Sequence, residues 1–117
     1  MLEGIIIKGD GVGKKLGYPT ANIDCNGLHK HLDAGVYAAK AMLGGKEYIA
    51  GLVIFPDMRK VEAHLIEYTG PDIYGERLIV VPVQRVSTFE QYPSEKELKK
   101  KIALDIVLVK QVFEDPK

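Results

Sequence analysis

The chain has 117 residues, of which 46% are apolar, so it is long enough for one domain with a modest core, and its composition argues against disorder. Sixteen basic side chains balance sixteen acidic ones. With no net charge to serve as a footprint, non-specific binding to nucleic acid or to a membrane surface is not expected. Cys25 is the single cysteine, which leaves no intrachain disulfide and no cysteine-based zinc site. The start, Met1 to Lys8, lacks the charged opening and apolar run of a signal peptide, and no stretch approaches the ~20 apolar residues of a membrane helix. These features together predict a soluble protein of a reducing compartment, with localisation in the cytoplasm.

In chain order, Gly4 to Lys8 reads as a buried strand because three isoleucines stand together. The segment from Gly9 to Pro19 holds too much glycine for a regular element and reads as a loop. Gly35–Leu43 and Lys46–Ile54 flank Gly44-Gly45, a pair suited to a two-residue hairpin turn that demands positive φ. Val61–Tyr68 and Arg77–Val86 are further strands, separated by Thr69-Gly70-Pro71-Asp72. Pro82 has no N–H for a ladder, so it is expected at an edge or a bulge. Short strands at this spacing, with no helix between them, favour a closed or nearly closed antiparallel barrel.

The last quarter changes period. Ser94-Glu95-Lys96-Glu97 is a capping box. Beyond it Leu98, Ile102, Ile106, Val109 and Phe113 recur at three- and four-residue steps along one helix face. Asp105, seven residues after Leu98, falls on that apolar stripe and turns towards the barrel. A carboxylate there needs a partner, with loop amides or Arg85 expected to supply it.

Three groups of residues offer chemistry. Between Gly9 and Gly13 bare amides can approach an anion, with Lys14 and Lys15 adding positive charge, although the spacing is neither a P-loop nor a dinucleotide fingerprint. In Gly17-Tyr18-Pro19-Thr20-Ala21-Asn22, proline favours extension. Thr20 and Asn22 then share a side and present a hydroxyl and an amide oxygen, hard ligands suited to Mg²⁺. A Thr/Asn pair bonding only to local backbone is the plainer account of those two residues. Glu62 and His64 alternate on one strand face with Ile66 and Tyr68, and a glutamate so placed can orient a hydroxyl and accept its proton. His64 itself reads as an ordinary wall histidine.

The ordered set of these pieces resembles the riboflavin kinase family, including the kinase half of bifunctional FAD synthetases. The likeness begins with Gly4-Ile5-Ile6-Ile7-Lys8-Gly9 and continues through Leu16-Gly17-Tyr18-Pro19-Thr20-Ala21-Asn22-Ile23 and Gly35-Val36-Tyr37. It then takes in Val61-Glu62-Ala63-His64-Leu65-Ile66, Asp72-Ile73-Tyr74-Gly75-Glu76 and the helix carrying Asp105. The resemblance implies a mostly-β fold, a six-stranded Greek-key antiparallel barrel with a C-terminal α-helix, spanning residues 1–117 as one domain. It implies transfer of the γ-phosphate of ATP, with Mg²⁺, to the ribityl 5′-hydroxyl of riboflavin, giving FMN and ADP. By the same resemblance Glu62 is the catalytic base, and Thr20 and Asn22 hold the metal. Gly9, Lys14 or Lys15, and Tyr74 contact the nucleotide, while Arg85 and Phe89 contact the flavin.

Two segments depart from the family pattern, Ala50–Asp57 and Gln84–Phe89, and both bear on flavin binding. The competing reading is a non-catalytic flavin- or nucleotide-binding module, against which the joint presence of Thr20, Asn22 and Glu62 argues, because binding alone needs no base. This length leaves no room for an adenylyltransferase domain, so FMN rather than FAD is the expected product. The expected partners are riboflavin/FMN and ATP/ADP, and a monomer is the default.

Overall fold

The computed structural model describes residues 2–7, 21–25, 32–56, 60–68, 73–90 and 94–114. Six strands are present: β1 (Leu2–Ile7), β2 (Ala21–Asp24), β3 (Gly35–Leu43), β4 (Lys46–Ile54), β5 (Val61–Leu65) and β6 (Arg77–Ser87). A single helix, α1 (Glu95–Glu114), follows them among the described residues. The strands close into a barrel in the order β1-β2-β5-β4-β3-β6, every pairing antiparallel. Closure removes the free edges that would otherwise invite further pairing.

The hairpin forms as its glycines require. Gly44 and Gly45 have φ of 58° and 83°, both left-handed, and nine residue pairs run from Gly35↔Ile54 to Leu43↔Lys46. Pro82 sits where the β3–β6 register shifts between Ala38↔Gln84 and Ala39↔Pro82, so of the two expected solutions the barrel uses the bulge. β5 is shorter than Val61–Tyr68. It stops at Leu65 because Glu67 turns left-handed, with φ of 67°. Ile66 keeps to the outer face of Glu62 and His64, packing beneath the helix, whereas Tyr68 beyond the turn packs against the main core.

Inward positions fill a narrow interior. Leu2, Ile6, Leu52, Ile54, Val61, Leu78 and Val80 interlock with the small side chains of Ala21, Ala39, Ala41, Ala50 and Ala63. A six-stranded barrel has room for side chains and nothing more, so small residues must oppose large ones. A second, outer cluster seals part of the wall, where α1 lays fully buried Val109 on Ala38 and Ile66, with Ile49, Val86, Ile106, Val112 and Phe113 around it. The helix comes close to the wall at Gly51, where Val109 Cγ2 would be in ordinary contact, 3.7 Å, with an added β-carbon. Ser94 caps the helix, its Oγ accepting the Glu97 N–H at 3.2 Å.

Asp105 is anchored, but not by Arg85 or loop amides. Its carboxylate takes Lys101 Nζ on both oxygens, at 2.8 and 2.7 Å, and the Ser87 hydroxyl at 2.8 Å. Lys101 stands one helical turn before Asp105, which makes it the nearer cation, and Ser87 ends β6 directly beneath.

Candidate active site

The chemistry lies on the outside of the barrel wall. Ala21 and Ile23 point into the core, so Asn22 between them points out. Val61 and Ala63 likewise point in, and Glu62 out. The β2–β5 ladder makes Asn22 and Glu62 direct register partners, with Ile7 of β1 on the far side of Asn22 and Val53 of β4 on the far side of Glu62. Directly opposed side chains on one face stand ~5 Å apart at their β-carbons. An amide and a carboxylate read from separate motifs are thus neighbours on one patch of wall.

Asn22 is 9% exposed and is the buried polar residue among those described. A buried amide needs partners. The Asn22 amide oxygen is in kind a hard donor of the sort magnesium takes, an ion that draws few ligands from protein and leaves much of its shell to water and phosphate. No cluster of three or more His, Cys, Asp or Glu that could cage a metal occurs among the described residues. Thr20, the other expected metal ligand, lies outside the described residues, as do Gly9, Lys14 and Lys15.

Glu62 is further tied down by Lys60, whose Nζ lies 2.9 Å from Oε2. Two residues apart on an extended segment, both side chains project to the same side. Lys60 also sits over the Phe55 ring, 4.9 Å from its centroid, and Phe55 packs against Phe89 at 4.8 Å with the rings tilted by 56°. The Phe55 N–H donates to the Lys60 carbonyl at 3.2 Å, closing the connection between β4 and β5. Phe89, expected on the flavin side, is therefore joined to Glu62 through Phe55 and Lys60. Neither of those two stood out in the sequence. Alternation from Glu62 points to Lys60, whereas the contact of Phe55 with Phe89 is long-range and carries no local sign.

Tyr74 is exposed in the turn before β6. That turn is stitched to β1 by Gly75 N–H to the Ile6 carbonyl at 2.7 Å and Ile6 N–H to the Glu76 carbonyl at 2.9 Å. Tyr74 accordingly stands beside the end of β1. Arg85 is placed differently. Its register partner is inward-facing Tyr37, and its guanidinium donates to the Ala34 carbonyl at 2.7 Å. Its Nε occupies space that a side chain at Gly35 would need, 2.5 Å from an added β-carbon. Arg85 thus braces the start of β3 and is not drawn to the Glu62 row. His64 is half-buried on the outer face opposite Gly51, a wall position as expected.

Cys25 is buried, and desolvation, followed by the charge of Asp24, pushes its thiol above the usual range. Such a thiol is a poor nucleophile at neutral pH and takes no part in this site.

The barrel is narrow and keeps its interior packed, so the polar candidates, an amide and a carboxylate in register, stand on its outer wall. Residues 1–113 match the family model described as riboflavin kinase, and the chain belongs to that family. It is 33% identical over 123 aligned positions to the bifunctional riboflavin kinase/FMN adenylyltransferase of Buchnera aphidicola from Schizaphis graminum. That alignment covers 96% of this chain and 38% of the relative, so the chain spans little more than a third of that protein's length. A riboflavin kinase from Trypanosoma brucei superimposes with a TM-score of 0.72 at 20% identity, covering 98% of this chain and 80% of that one. A Streptococcus pneumoniae protein described as a macrolide-efflux protein shares the fold at a TM-score of 0.81 and 22% identity, over 93% of this chain and 38% of that one. No helix among the described residues is long and apolar enough to cross a membrane.

Proposed function

We propose that this chain phosphorylates riboflavin, moving the γ-phosphoryl group of ATP to the ribityl 5′-hydroxyl to give FMN and ADP. The observation that carries the reading is the direct pairing of Asn22 with Glu62 in a chain whose residues 1–113 match the riboflavin kinase family. Glu62 holds the hydroxyl in line and accepts its proton as the new O–P bond forms and the bridging O–P bond to ADP breaks. Little else is asked of the protein, because phosphoryl transfer depends on positioning and charge stabilisation.

Asn22 and Thr20 would hold Mg²⁺, which when bound offsets charge on the phosphate oxygens. The amides around Gly9, with Lys14 or Lys15, would cradle the triphosphate, and Tyr74 at the end of β1 would flank the nucleotide. Phe89, backed by Phe55, would meet the flat flavin ring, since aromatic faces pair with aromatic faces. Arg85, the other expected flavin contact, donates to the Ala34 carbonyl at the start of β3, and would meet the flavin with the rest of its guanidinium. A reducing cytoplasm suits the unpaired thiol of Cys25, and a monomer suffices for a site built from one barrel.

The test is direct. The purified chain is incubated with riboflavin, Mg²⁺ and ATP or another nucleoside triphosphate, and the flavin products are separated. Formation of FMN that stops when Mg²⁺ is chelated is the expected result. Tight flavin binding with no FMN under any donor would replace catalysis by the binding-module reading.

A further inference from the structure

We propose that Lys60 is a positioning residue for the base: it fixes the Glu62 carboxylate by Oε2 and so leaves Oε1 to receive the substrate hydroxyl. The proposal rests on the reading of Glu62 as base. Contacts with Phe55 and Glu62 help to hold the lysine in place. Its backbone carbonyl accepts the Phe55 N–H, its ammonium lies over the Phe55 ring, and its Nζ meets Glu62 Oε2 at 2.9 Å. The Phe55 ring is itself packed against Phe89, so the lysine rests on a fixed aromatic surface and not on solvent.

An ordinary surface pair would be a poor candidate, because two long mobile chains gain little by meeting in water. Here the Glu62 side chain is only 16% exposed and that of Lys60 30%. A glutamate has three rotatable bonds, and a base that samples several rotamers spends much of its time out of line with the hydroxyl. Fixing one oxygen restricts that freedom without consuming the other. The arrangement follows a general logic in which a third group orients a catalytic base. The proton moves from the hydroxyl to Glu62, while Lys60 transfers nothing.

The experiment is a four-member cycle of the unaltered chain, Lys60→Met, Glu62→Gln and the double variant, with kcat and KM for riboflavin measured at saturating ATP and Mg²⁺. Lys60→Met is expected to lower kcat by about 10- to 100-fold while KM for riboflavin moves less than about 3-fold, since the lost contribution is to the transition state. Lys60→Arg should recover most of the rate. The double variant should fall within about 3-fold of Glu62→Gln alone, because a lysine acting through the base has nothing to orient once the base is gone. Thermal melts of each variant confirm folding, with Lys60→Gln as the substitute if Lys60→Met does not fold. Native kcat in the lysine variant, or losses that multiply in the double variant, would overturn the inference while leaving Glu62 as base. Native turnover in Glu62→Gln would remove the base and the inference together.

Discussion

Two lysine–carboxylate pairs stand on the same row of the outer wall and differ in how completely the carboxylate is engaged. The row runs through Asn22, Glu62, Val53, Val36 and Ser87. At Glu62 it meets Lys60, and at Ser87, three strand spacings or roughly 14 Å away, it meets Lys101 and Asp105. Asp105 has both oxygens engaged by Lys101 and a further bond from Ser87, under a helix that leaves the two side chains 10% and 13% exposed. It has no freedom to react and serves to fix α1. The closest approach of Lys60 to Glu62 is at one oxygen, beside a buried amide and an aromatic pair. The chemistry of the two pairs is nearly the same. What separates them is how completely each carboxylate is satisfied, and that decides which is an anchor and which can act.

The largest expected effect tests the acting half. Glu62→Gln keeps size and an acceptor but loses basicity, so turnover should drop by about 10²- to 10⁴-fold with little change in melting temperature. A steady-state assay and a thermal melt on the same preparation check it, and near-native turnover would erase the distinction between the two pairs.

The anchoring half should answer in stability. Lys101→Met strands the Asp105 carboxylate in a nearly closed site and should cost about 2–3 kcal/mol, read from denaturant unfolding. Adding Asp105→Leu should return most of that, because a leucine extends the apolar stripe of α1 and removes the stranded charge. If the double variant is less stable than Lys101→Met alone, the pair is contributing more than an apolar contact would. Asp105→Asn is milder. It retains acceptors for Ser87 and Lys101 but not the charge, and should cost about 1–2 kcal/mol while kcat stays within several-fold of normal. An unchanged melting temperature with turnover abolished would move Asp105 into the active site.

The local grammar of the chain was legible, and the long-range register was not. Gly44-Gly45 announced the hairpin with its ends in place because positive φ is a local demand. Pro82 announced an edge or a bulge for an equally local reason, a missing donor, and the barrel uses the bulge. β5 was read three residues too long, since nothing in Ile66-Glu67-Tyr68 declares that Glu67 turns left-handed. Asn22 and Glu62 could each be singled out, but their adjacency depends on β2 pairing with β5 across forty residues of chain. Asp105 was correctly expected to have a partner, but loop amides or Arg85 were expected to supply it, whereas Lys101 at the i−4 position does so. Arg85 is instead held at Ala34, a backbone carbonyl that no side-chain pattern advertises.

The smallest predicted effect isolates the link between the strand and the helix. Ser87 Oγ donates to Asp105 Oδ1 at 2.8 Å and accepts from Lys101 Nζ at 2.9 Å, so one hydroxyl ties the end of β6 to α1. Ser87→Ala removes that tie without emptying space, and Lys101 continues to satisfy both Asp105 oxygens. The cost should therefore be about 0.5–1.5 kcal/mol, a shift of several degrees in melting temperature for a domain of this size. The aspartate and lysine remain paired, so the loss should be smaller than in Lys101→Met, where the carboxylate is stranded. Turnover should be untouched, because Ser87 stands three strands away from Glu62 along the row. A fall in kcat at unchanged stability would mean that the row transmits position from the anchored pair to the acting one, and the two would have to be treated as one unit.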